Sequence, residues 1–103
     1  MYQDYSVLMS VYIRENPEYL RPSIRSMMEQ TVPTNDFVLV CDGPLTAELN
    51  QIIADFENCY ADIFHVIRLE KNQGLGNALN LGLRACKNEL VARMDSDDIA
   101  QPD

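Results

Sequence analysis

Ser6-Val7-Leu8-Met9-Ser10-Val11 is a short, nearly continuous apolar run, the pattern of a strand buried on both faces as parallel sheets require. Asn16 before Pro17 has the form of an N-cap followed by proline at the first helical position. Leu20, Ile24, Met27 and Met28 then recur on one helical face, predicting a helix to about Gln30. Pro22 removes a backbone donor past the first turn, so regular helix is expected to begin nearer Arg21. Phe37 to Cys41 predicts a second buried strand, stopped by the turn-forming Asp42-Gly43-Pro44. Thr46 can cap a second helix, because Leu49, Ile52, Ile53 and Phe56 follow at i, i+3, i+4 and i+7. Ile63 to Leu69 predicts a third strand and Leu90 to Met94 a fourth. Leu75, Ala78, Leu79, Gly82 and Cys86 form one face of a helix between them.

A βαβαβαβ series with short connections implies parallel strands, right-handed crossovers and helices on both faces of an open sheet, which is a Rossmann-like α/β architecture. Such sheets bind ligands outside the carboxyl ends of their strands. Candidate chemistry is therefore sought in Val11 to Asn16, Asp42 to Pro44, Glu70 to Gly76 and Asp95 to Asp98.

Composition narrows the classes. The 103 residues suit one domain, and eight Lys and Arg against sixteen Asp and Glu give a net charge of -8, which argues against nucleic-acid or anionic-lipid partners. Cys41, Cys59 and Cys86 form no C-x-x-C pair and have no clustered histidines, so neither a zinc site nor a disulfide framework is expected and a reducing compartment is the default. The N-terminal apolar stretch is too short for a signal peptide, and no run approaches the roughly 20 residues of a membrane span, so a cytoplasmic location is expected.

Asp95-Ser96-Asp97-Asp98 places three carboxylates within four residues directly after a strand. That group can hold a hard divalent cation, Mg²⁺ or Mn²⁺, with positions left for diphosphate oxygens, and a solvated acidic turn is the plain alternative. Asp42 can accept a hydrogen bond from a ligand N–H such as a pyrimidine imide, or serve only an Asp-Gly turn. Asn72-Gln73-Gly74-Leu75-Gly76-Asn77 opens the third helix, whose first amides suit phosphate or polar sugar groups, with Asn72 as a cap or turn residue otherwise. It does not make a dinucleotide fingerprint, since it follows the third strand and Leu79 stands at the third-glycine position. His65 receives no role, Tyr19, Met27 and Met28 are assigned to the core or its margin, and Ser96 has no evident base partner.

Taken together, Ser6 to Tyr12, Cys41-Asp42-Gly43, Asn72-Gln73-Gly74 through Ala78 and Asn80, and Arg93-Met94-Asp95-Ser96-Asp97-Asp98-Ile99 with Pro102-Asp103 resemble glycosyltransferase family 2, in particular a bacterial branch that builds surface polysaccharides. The resemblance implies a GT-A fold, a nucleotide-diphosphate sugar donor, most readily a UDP-sugar, and a divalent metal. It places Val11, Tyr12 and Glu15 around the base and ribose, Asp42 on the base, and Asn72 and Gly74 in the nucleotide-sugar site. Asp95 and Asp97 match the family's D-x-D, with Asp95 nearer the ribose or donor sugar and Asp97 the better metal ligand. The chain departs from the family pattern in having Cys41 before Asp42, Pro44 after Gly43 and the additional Asp98.

For a nucleotide site at a switch point, the sheet order should be 3-2-1-4, which sets Val11 and Tyr12 beside Asp95 to Asp97. Family members continue for a hundred or more residues, with an acceptor site and a carboxylate general base. The chain is therefore expected to be an N-terminal, donor-binding single domain with no catalytic base of its own, inactive in transfer, and prone to self-associate near its fourth strand and third helix. A full-length relative would carry out inverting transfer to a saccharide or lipid-linked acceptor at the cytoplasmic membrane face. The competing readings are a non-catalytic nucleotide- or metal-binding module and a phosphoacceptor receiver. A receiver would need an acidic pair where Tyr12 and Ile13 stand.

Overall fold

The computed structural model describes residues 4–30 and 33–95. Its elements alternate as β1 (Ser6–Val11), α1 (Pro17–Met28), β2 (Asp36–Cys41), α2 (Ala47–Cys59), β3 (Phe64–Arg68), α3 (Leu75–Ala85) and β4 (Val91–Asp95). The strands form one sheet in the order β3-β2-β1-β4, and every pairing is parallel. The order reverses between β1 and β4, where Ser10 stands opposite Asp95. Both the expected topology and the expected switch point are present.

Strand alternation divides the core. Val7, Met9 and Val11 of β1 and Phe37, Leu39 and Cys41 of β2 face α1 and α2, meeting Leu20, Ile24, Leu49, Ile53 and Phe56. Leu8, Val38 and Val40 point to the other side, where Ala78 of α3 covers them. Helices therefore lie on both faces, two on one side and one on the other.

Several boundaries differ from the sequence reading, each for a local reason. Helix α1 begins at Pro17 and not near Arg21, because Asn16 Oδ1 accepts from the Glu18 amide at 2.9 Å and holds the first turn while Pro22 sits inside the helix. Burial of Leu20 and Ile24 outweighs the one ladder bond that Pro22 forgoes. The same helix stops at Met28, short of Gln30. Strand β2 starts one residue early, at Asp36, while β3 is trimmed to Phe64–Arg68. Strand β4 starts after Leu90, which is exposed, and extends to Asp95. On α3 the buried face narrows to Ala78 and Gly82, with Leu75 exposed and Cys86 at the C-cap. Tyr19, expected at the core margin, is also exposed.

The narrow face of α3 has a cause. A Cβ built on Gly82 would lie 2.3 Å from Leu8 Cδ1 and 2.7 Å from Val40 Cγ2, so glycine is what lets the helix approach the sheet this closely. Alanine in a helix interior ordinarily gains about 1 kcal/mol over glycine, but overpacking a close contact costs typically about 1–3 kcal/mol. The Val40 methyl sits on a stiff side chain in a central strand, so the clash is expected to win. Gly82→Ala should lower the urea midpoint of unfolding, and a raised midpoint would show that α3 can lift off the sheet without loss.

At the amino ends of the strands, opposite the candidate loops, Asp36 is buried and its Oδ2 accepts from Ser6 Oγ at 2.6 Å and from the Lys87 amide at 2.8 Å. Ser6 Oγ in turn accepts from the Asn88 amide at 3.2 Å, and His65 Nε2 lies 3.5 Å from Asp36 Oδ1. One carboxylate thus joins β1, β2, β3 and the α3–β4 connection, leaving the carboxyl edge free of this structural duty.

Candidate functional site

The carboxyl edge is built by three strand exits and one loop. At the end of β1 the Val11 carbonyl accepts the Asp42 amide at 2.8 Å, and the Tyr12 carbonyl accepts the Glu15 amide at 3.0 Å, curling the chain toward α1. Val11 is fully buried in the core on the α1 and α2 side, so it offers a ligand only backbone, whereas Tyr12 is 40% exposed and Glu15 is half-buried. At the β2 exit the Cys41 carbonyl accepts both the Gly43 and the Leu69 amides at 3.0 Å, which ties the β3 exit to the same edge.

Asp42 is only 4% exposed, and both carboxylate oxygens are engaged. Oδ1 accepts the Gln73 amide at 2.7 Å and Oδ2 the Gly74 amide at 3.1 Å, while Asn72 Nδ2 donates back to the Asp42 carbonyl at 3.3 Å. The N-cap of α3 is Gly74, with no side-chain cap of its own, so Asn72 is a turn residue and not the cap. It accepts the Gly74 amide on Oδ1 at 3.2 Å. An anion at a helix N-terminus is favoured by the free amides and the helix dipole, and here the protein supplies that anion itself. The phosphate role considered for the Gln73 and Gly74 amides is therefore taken by Asp42. What Asn72 and Gly74 present outward is exposed neutral polar surface.

Asp95 ends β4 beside Ser10 of β1, one residue short of the Val11 and Tyr12 exit. Val11, Tyr12, Glu15, Asp42, Asn72, Gly74 and Asp95 all belong to this edge, with Asp42 and the Asn72–Gly74 loop on the β2 side of the β1 exit and Asp95 on the β4 side. Asp97 and Asp98 lie outside the described residues. The donor set of Asp95, Asp97 and Asp98 is all carboxylate, which matches the hard oxygen preference of Mg²⁺ or Mn²⁺. Among the described residues no three His, Cys, Asp or Glu side chains converge as a metal site.

Cys41 and Cys86 do not add a nucleophile to this edge. Burial pushes the Cys41 thiol up to about 11, with the nearby Arg68 charge opposing and Glu57 adding to the shift, and burial also raises Cys86. Both stay protonated at neutral pH. Beside Cys41 a shallow depression of about 330 Å³ opens toward Arg68, but that guanidinium already donates to Asn50 Oδ1 at 2.9 Å and lies 3.7 Å from Glu57. The loop geometry around Gln73 was not legible in the sequence. Its only signal was the pairing of an Asp-Gly strand exit with an Asn-Gln-Gly helix entry.

The sequence model of the family described as Glycosyl transferase family 2 matches residues 6–103. The chain belongs to glycosyltransferase family 2. Among its relatives, the amylovoran biosynthesis glycosyltransferase AmsE of Erwinia amylovora is 42% identical over 99 residues, covering 96% of this chain and 36% of AmsE. An Escherichia coli UDP-Gal:alpha-D-GlcNAc-diphosphoundecaprenol beta-1,3-galactosyltransferase is 43% identical over 95 residues, covering 92% of this chain and 34% of that protein. The crystal structure of S. aureus TarS in complex with UDP-GlcNAc is similar in fold, with a TM-score of 0.77 and 30% identity over 94% of this chain and 27% of that one. The chain spans about a third of the length of these two curated relatives. Among the described residues no helix is long and apolar enough to cross a membrane.

Proposed function

We propose that this chain binds the nucleotide-diphosphate part of a sugar donor, most readily a UDP-sugar, at the carboxyl edge between β1, β2 and β4. The observation that carries the reading is the β1 exit, beside the reversal of strand order, flanked by the Asp42 loop on its β2 side and by Asp95 on its β4 side. Support comes from a relative named for its UDP-Gal donor and from a 30% identical structure solved with UDP-GlcNAc. Tyr12 and Glu15 flank the base and ribose, with Val11 contributing backbone. Asp42 has lone pairs beyond the two amide bonds with which to meet a base imide. Asn72 and Gly74 reach neutral ribose or sugar groups. Asp95 and Asp97 hold a divalent metal, which when bound stabilises negative charge on the departing diphosphate.

In the whole protein the reaction is inverting transfer to an acceptor hydroxyl in polysaccharide assembly at the cytoplasmic membrane face. The galactosyltransferase relative's name gives a lipid-linked acceptor of that kind. The acceptor proton needs a carboxylate base within hydrogen-bond reach. Asp42, Asp95 and Asp97 are assigned to base, ribose and metal and no residue of these 103 is assigned as the acceptor base, so the chain is read as a donor-binding domain without transfer activity of its own. Leu75, Leu83 and Leu90 are each exposed on α3 and just before β4, and the isolated chain is expected to self-associate through this side.

Calorimetry with UDP, CDP, GDP and ADP in the presence of Mn²⁺ tests the reading. UDP should bind most tightly, and incubation with UDP-sugars and candidate acceptors should give slow donor hydrolysis at most. Equal binding of all four nucleotides would remove the base assignment, and robust transfer by this chain would show that it carries its own base.

A further inference from the structure

We propose that Asp42 is a positioning residue as well as a base contact: its carboxylate clasps the loop that enters α3, so base recognition and the geometry of the Asn72–Gly74 loop form one coupled unit. The inference rests on the donor-binding reading above and extends it to how the site is held together. The clasp runs in both directions, from the Gln73 and Gly74 amides to the Asp42 carboxylate and from the Asn72 amide group to the Asp42 carbonyl. Hydrogen bonds from backbone amides to a carboxylate are stronger than neutral ones, and Asp42 is a buried residue.

Gly43 makes the approach possible. It has a φ of +93°, and a Cβ there would lie 2.8 Å from the Asn72 backbone nitrogen. The two loops are therefore in backbone contact, with no side chain between them that could absorb a displacement. A ligand group that draws Asp42 toward a base pulls on the same two oxygens that hold Gln73 and Gly74. Conversely, a loop that is out of place leaves the carboxylate misdirected even when it is chemically intact.

Gly43→Ala tests this without removing the carboxylate. In nucleotide-free protein, amide hydrogen exchange followed by NMR should show Gln73 and Gly74 protected. Asp42→Ala should speed their exchange by about tenfold or more, and Asp42→Asn, which keeps one acceptor oxygen, should leave one amide partly protected. In calorimetry Gly43→Ala should weaken UDP by about tenfold and narrow its preference for UDP over GDP although the carboxylate is intact, and Asp42→Ala should lose that preference altogether.

Unchanged exchange at both amides in Asp42→Ala would overturn the clasp. Wild-type UDP affinity in Gly43→Ala, with those amides deprotected, would overturn the coupling. Protected amides in a wild-type protein that binds no nucleotide would instead overturn the donor reading, and the positioning role with it.

Discussion

Asp36→Ala should unfold at a urea concentration well below wild type, with a loss of about 3 kcal/mol and a melting temperature lower by roughly 15 °C. The Asp36 side chain is buried, and its carboxylate receives the Ser6 hydroxyl at 2.6 Å and the Lys87 amide at 2.8 Å, with His65 at 3.5 Å on its other oxygen. Truncation orphans the buried Ser6 donor and cuts the tie between β2 and the α3–β4 connection. An orphaned buried donor costs about 1–3 kcal/mol, and a domain of this size has only about 5–15 kcal/mol in total. Asp36→Asn keeps an acceptor oxygen for Ser6 or Lys87 and should lose about 1 kcal/mol. Because the site is at the opposite end of the sheet, the nucleotide affinity of whatever Asp36→Ala remains folded should match wild type. A midpoint within experimental error of wild type would show that the network adds nothing to stability.

This network also marks where sequence reasoning stopped. Apolar runs such as Val38-Leu39-Val40 announce buried strands without reference to anything distant, and the helical spacing of Leu49, Ile52, Ile53 and Phe56 does the same for α2, so the alternation of elements was legible. The partners of Asp36 come from Ser6, 30 residues before it, and Lys87, 51 residues after it, and no local pattern encodes such a meeting. Pro22 misled because its cost is local while its compensation, the burial of Leu20 and Ile24 against α2 and the sheet, is tertiary. Leu75 misled because periodicity reports which residues share a face but not how much of that face is covered. At the candidate site, Asp42 stood out as a carboxylate at a strand exit. Its commitment to the Gln73 and Gly74 amides depends on where α3 begins in space.

The second large effect belongs to Asp97. If the carboxylates after β4 hold the metal that bridges to the donor diphosphate, wild-type protein should bind UDP at least tenfold more tightly with Mn²⁺ or Mg²⁺ than without, a difference of about 1.4 kcal/mol or more. Asp97→Ala should flatten that metal response while retaining the preference among bases. Asp42→Ala should do the reverse, blurring discrimination among bases while the metal response persists. The contrast separates roles that a single affinity cannot, because both variants weaken UDP. Loss of both properties together in both folded variants would count against the division of labour between the β2 exit and the β4 exit.

The most direct measurement is a map of backbone NMR shifts as UDP and Mg²⁺ are titrated into the chain. The expected result is saturable change at Tyr12, Glu15, Asp42, Asn72, Gly74 and Asp95, the residues placed along the carboxyl edge of the sheet, with Asp36, His65 and Lys87 at the other end of the sheet unmoved. Changes centred on Asp36, His65 and Lys87, or no saturable change at millimolar UDP, would contradict a nucleotide site on the carboxyl edge.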